Sequence, residues 1–89
     1  MNTSSEAVKQ LQQAQALTQQ AAATIENLIA EHDYQDVGAL VSHAAIRLLE
    51  CAALLMQSQD EAALDKLENA EDLLDMVYEI IEGDTDDQT

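Results

Sequence analysis

Seven carboxylates, Glu61, Asp65, Glu68, Asp72, Asp75, Glu79 and Glu82, follow one another at alternating spacings of four and three residues. A helix turns about 100° per residue, so this spacing keeps all seven on one side, with about one carboxylate every 5 Å along the axis. Carboxylates can act as general acid and base, but that needs a cleft in which the environments of two of them differ. An unenclosed row of one sign suits different chemistry: it can imitate the phosphates of a nucleic-acid strand and dock in a basic groove. The plainer alternative is an ordinary polar helix face that serves solubility. Energetics favour the sharper reading. Like charges at i,i+4 each cost a few tenths of a kcal/mol, whereas interspersed lysines would contribute a similar gain. Solvation alone would be met by mixed signs.

Other candidate chemistry is sparse. His32 and His43 lie on different expected elements and lack the i,i+4 or Glu-x-x-His spacing of a metal site. Cys51 has no CxxC partner and stands amid Ala and Leu, as a buried small apolar residue would. No Asp-rich loop with a central Gly offers a calcium site, and no Gly-rich phosphate loop or Gly-x-Ser-x-Gly is present. We therefore expect no catalytic residues, no metal and no cofactor, and a protein that is not an enzyme. Tyr78 falls between the acid row and the apolar stripe of its helix, at the edge of the core, and Tyr34 falls in a link.

The whole chain has the same electrical character as the row. Its 89 residues hold 18 acids and 3 bases, a net charge of -15 at pH 7. Residues 60–89 contribute twelve acids against Lys66, while the first 59 residues sum to only -4. Direct binding to nucleic acid is excluded for want of cations, and adsorption to anionic membrane is disfavoured. The expected partner is a basic protein surface. With one cysteine and a polar Met1–Glu6 start, a reducing cytoplasm is the expected compartment. The most apolar stretch, 44–56, is interrupted by Arg47 and Glu50 and reads as too short to span a bilayer.

The elements that must position the row are helical. Proline is absent, glycine occurs only at 38 and 83, and Ala, Leu, Gln and Glu dominate. Thr3 with Glu6 forms a capping-box signature that starts a helix over 4–31, whose apolar stripe is Ala7, Leu11, Ala14, Thr18, Ala21, Ile25, Leu28 and Ile29. Asp36, or alternatively Asp33, caps a second helix over 37–57. Its stripe is Val37, Leu40, Val41, Ala44, Leu48, Ala52, Leu55 and Met56, and Ile46, Leu49 and Leu54 widen the arc enough for two neighbours. Ser58 with Glu61 repeats the capping signature for a third helix over 60–82, turned back on the second by a short link. Gly83 is the expected stop, and 84–89 the expected flexible acidic tail of a single domain over 1–83.

The fold class is thus all-α, a three-helix antiparallel bundle or helical hairpin with a long first helix. Fifteen Ala, twelve Leu and no Phe or Trp make a thin core. A first helix of roughly 40 Å would overhang two of roughly 30 Å. Both features call for completion by self-association, as a homodimer or higher oligomer.

Small size, the -15 charge and the row from Glu61 to Glu82 together give a chain that resembles the small acidic all-helical inhibitors of phages and mobile elements, anti-CRISPR and anti-restriction nucleic-acid mimics among them. The resemblance implies a stoichiometric inhibitor that occupies the nucleic-acid-binding surface of a partner, and it carries over no residue roles beyond the row. The competing expectation is a homo-oligomeric adaptor, chaperone or immunity-type protein that binds through an apolar helix face.

Overall fold

Thr3 starts the first helix as its spacing from Glu6 predicts: its backbone is extended and its Oγ1 accepts the Glu6 N–H at 3.1 Å. A computed structural model describes residues 2–86. It contains three helices, α1 (Ser4–Glu26), α2 (Gln35–Leu55) and α3 (Asp60–Asp86), and no strand among the described residues. The all-α class follows.

Each boundary that departs from expectation has a local cause. The first helix ends five residues short of 31 because side chains take over its last carbonyls. Asn27 Nδ2 donates to the Ala23 carbonyl at 2.8 Å, and Gln35 Nε2 reaches back to the Glu26 carbonyl at 3.2 Å. Leu28 and Ile29, expected on the apolar stripe, fall in the link, where both are exposed. Neither Asp33 nor Asp36 caps α2. Tyr34 occupies the cap position without a side-chain bond, and the turn before it is closed through His32, whose Nδ1 accepts the Tyr34 N–H at 3.0 Å and whose carbonyl accepts the Gln35 N–H at 3.1 Å.

The Ser58–Glu61 capping box does not form either, since Ser58 serves the preceding helix. Its φ of 59° is left-handed. The Gln59 N–H bonds the Leu54 carbonyl at 2.9 Å and the Ser58 N–H bonds that of Leu55 at 3.1 Å, the pair of bonds that defines a Schellman stop. A serine held where glycine is unstrained predicts that Ser58→Gly raises the unfolding free energy by about 0.5–1 kcal/mol. Urea melts of the two proteins would read this directly. A lower midpoint for the glycine variant would mean that the serine side chain offsets the strain.

Gly83 does not stop α3, which runs on to Asp86; residues 87–89 of the expected tail lie outside the described residues. Expected to be the longest, α1 has 23 residues against 27 for α3, so the overhang belongs to the acidic helix.

Packing places α2 in the middle. It lies against both α1 and α3, while no Cα atoms of α1 and α3 come within 8 Å of each other among the described residues. Ile25 meets Gly38 at one end of the α1–α2 pair and Ala7 and Leu11 share a groove with Met56 at the other, so these two run antiparallel. The short link 56–59 and the approach of Lys66 to Glu50 at 3.3 Å give the same sense for α2 and α3.

The residues that seal these contacts are small. Ala22, Ala44, Ala53, Ala63 and Ala70 are buried, with Ile46, Cys51 and Val77, and no large side chain is fully buried among the described residues. Leu17, Val41, Leu48, Leu55 and Leu64 keep between 42% and 66% of their surface in water. This corrects the expected stripes: Ala22 replaces Ala21 on α1, and Ile46 and Cys51 displace Val41, Leu48 and Leu55 from the core of α2. A helix with neighbours on opposite sides buries its two flanks, and the row between those flanks is left uncovered.

Candidate protein-binding surfaces

The acid row is built by the periodicity of α3. Ala63, Ala70 and Val77 recur every seven residues and are the buried contacts with α2. At about 100° per residue the seven carboxylates fall on the far side of the helix from those three. Glu61, Asp65, Glu68, Asp72, Asp75, Glu79 and Glu82 are all exposed, and none of them is in a salt bridge among the described residues. Among the described residues α3 stands at an edge of the helix row and packs only on α2, so no other helix lies over them.

The chain's few cations lie elsewhere. Arg47 donates to Glu50, and Lys66 Nζ stands 3.3 Å from the other Glu50 oxygen, so one carboxylate engages both bases. Partial burial pushes the Glu50 carboxyl up, but hydrogen bonds and charge from Arg47 and Lys66 together outweigh it and hold Glu50 below its ordinary value. Lys66 is thereby drawn across to α2, on the side of α3 away from Leu64. Sequence spacing shows the Arg47–Glu50 pair, but the Lys66 contact requires the fold.

A pH prediction follows from that cluster. A folded value lowered from an unfolded one of about 4.3 means that its stabilisation is fully present above that pH and is lost as pH falls through the folded value. Glu50→Gln should cost about 1 kcal/mol at pH 7, and the gap from the parent should narrow at an acid pH as Glu50 becomes protonated in the folded chain. Denaturant melts at pH 7 and at acid pH test it. A gap that persists in acid would show that Glu50 contributes by packing rather than charge.

The other candidates take structural places. His43 Nε2 pairs with Glu26 Oε1 at 2.7 Å and fastens the end of α1 to α2, while His32 shapes the link. Cys51 is buried at the α2–α3 contact, as its apolar surroundings predict. No three His, Cys, Asp or Glu side chains converge as a metal site among the described residues. Tyr78 is 64% exposed, well clear of the core edge.

A second surface escaped the sequence reading. Val41, Leu48 and Leu55, spaced by seven, form an uncharged row along α2, with Ala45 and Ala52 between them. Leu55 lines two apolar grooves at once, one with Ala7, Leu11 and Met56 against α1 and one with Cys51, Leu64 and Leu67 against α3. Opposite it, the row of His43, Glu50 and Gln57 is polar. The seven-residue spacing was visible, but it read as core. At 21 residues, α2 is long and apolar enough to cross a membrane by length and composition, contrary to the estimate from 44–56. Here it lies between two other helices.

No family model, no curated protein and no solved structure matches this chain.

Proposed function

We propose that this protein is a non-enzymatic, cytoplasmic inhibitor that binds a basic, nucleic-acid-binding surface of a partner protein through the outer face of α3, in the manner of phage-type nucleic-acid mimics. One observation carries the reading: seven carboxylates in a rod-like row, all exposed and none in a salt bridge among the described residues. Such a row presents a single-sign potential at phosphate-like spacing, which steers and orients a positively charged groove. The chain acts as a self-associated helical unit, because α2 alone separates α1 from α3 and large apolar side chains are left outside.

A second reading, a homo-oligomeric adaptor, chaperone or immunity-type protein that binds through an apolar helix face, is favoured by the Val41, Leu48 and Leu55 row. Salt separates the two, since screening weakens attraction between unlike charges and spares apolar docking. Proteins captured by the immobilised chain at low salt should be nucleic-acid binders, should elute as salt rises and should be displaced by heparin or DNA. Capture that survives high salt and ignores both competitors would transfer the function to the apolar face.

A further inference from the structure

We propose that a second copy of this chain covers the apolar side of the helix row across a two-fold axis running along α2, so that α2 packs on α2 and each α3 lies over α1 of the other copy. The inference rests on the self-association proposed above and locates it.

The exposed surface says that something of this size is missing. A compact monomer of 9.7 kDa exposes about 5,100 Å², whereas this chain exposes 6480 Å². Its radius of gyration is 15.5 Å, against about 12 Å for a compact domain of this length. The excess surface exceeds the roughly 800 Å² that one partner of a standard interface buries. Part of it lies on one face, where large side chains are half uncovered. Val41, Leu48 and Leu55 form a ridge on α2, Leu64 and Tyr78 stand on the adjoining flank of α3, and Leu17 stands on that of α1. A ridge spaced by seven with a groove on either side is self-complementary, as in the seam of a coiled coil.

Charge selects the occupant and its orientation. A basic partner is drawn to the acid row, and this face of α2 has no charge to offer it. A second copy can approach here because the ridge itself is uncharged and the seven-acid row faces away from the α2 contact; the acids nearest the ridge are Asp60, which lines the groove against α3, and Glu71, which stands between Leu64 and Tyr78. Over Ser4–Glu26, α1 carries Glu6, Lys9 and Glu26, a net -1, whereas α3 through Gly83 carries nine acids and Lys66, a net -8. A two-fold axis across the helices would stack α3 on α3. An axis along α2 stacks α3 on the nearly neutral, Gln-rich α1, and leaves an acid row at each of two opposite edges of the dimer.

Sedimentation equilibrium from about 1 to 200 µM should give twice the chain mass at the upper end, and association should strengthen with added salt because two chains of net -15 repel. That sign is opposite to the salt dependence expected of partner binding, so the two proposals fail separately. Leu48→Glu should give the single-chain mass with unchanged helical circular dichroism, since Leu48 is 42% exposed within one chain. Val41→Gln, which adds no charge, guards against misfolding. In a Cys51→Ala background, Val41→Cys alone and Leu55→Cys alone should each oxidise to a cross-linked dimer. A wild-type mass of 9.7 kDa at 200 µM, or a monomer that sediments with neutral lipid vesicles, overturns the inference and the self-association beneath it. A dimer that survives Leu48→Glu overturns the face, and cross-links that form only when the two cysteine variants are mixed overturn the axis.

Discussion

Ala70→Asp should abolish cooperative folding, or leave at most a few per cent of the chain native at 25 °C. Ala70 has no exposed surface and sits midway along the Ala63, Ala70 and Val77 contacts that join α3 to α2. Its neighbours approach closely because they are small, and no cation stands among the buried residues to receive a carboxylate. An unpaired charge there must either stay dehydrated or force the helices apart, at a cost of several kcal/mol. A domain of this length has roughly 5–10 kcal/mol in all, and one with an Ala-rich core belongs at the lower end. Leu64→Asp on the same helix is the contrast. Leu64 is 56% exposed within one chain, so at concentrations too low for two copies to pair a carboxylate there reaches water and leaves the α2 contact in place. Far-ultraviolet circular dichroism and urea melts should separate the two variants plainly. Equal melts would mean that the α2–α3 contact is not what holds the chain together.

The joint replacement of Asp65, Glu68, Asp72 and Asp75 by Asn or Gln should weaken partner binding by roughly 10³-fold while leaving the fold intact, taking about 1 kcal/mol for each charge pair lost. All four are exposed and none is in a salt bridge among the described residues. Their removal takes away no internal contact and relieves repulsion at the i,i+3 and i,i+4 steps of the row, so stability should hold or rise by a few tenths of a kcal/mol per relieved pair. Partner affinity measured across a salt series should also show a flatter dependence, because fewer charges are engaged. Unchanged affinity together with unchanged salt slope would reduce the row to a solvated face and shift attention to the apolar side of α2.

The two variants probe opposite sides of α3, and the sequence identified both to different depths. Helix identity, the Thr3 start, the link between α2 and α3 and the outward direction of the acid row were all legible, because each depends on neighbours within about four residues. On α3, Leu67 and Leu74 also lie toward α2 but are half-buried, and the Ala63, Ala70 and Val77 line is the better sealed. An apolar stripe shows which side of a helix faces inward. It does not show which of its residues meets the partner helix at closest approach.

Fixed by the sequence alone were local helicity and the separation of charge from apolar surface, which periodicity imposes on any helix this chain can form. Three features waited for the tertiary structure. The end of α1 at Glu26 depends on Gln35, nine residues away, which supplies a donor to the last carbonyl. Glu50 draws in Lys66 only once α3 has folded back along α2. The exposure of Val41, Leu48 and Leu55 depends on where α2 stands. In a closed three-helix core the same residues would point inward, but with α1 and α3 on opposite flanks they point out. Periodicity sets a direction around one helix axis, and only the placement of neighbouring helices decides whether that direction meets protein or water.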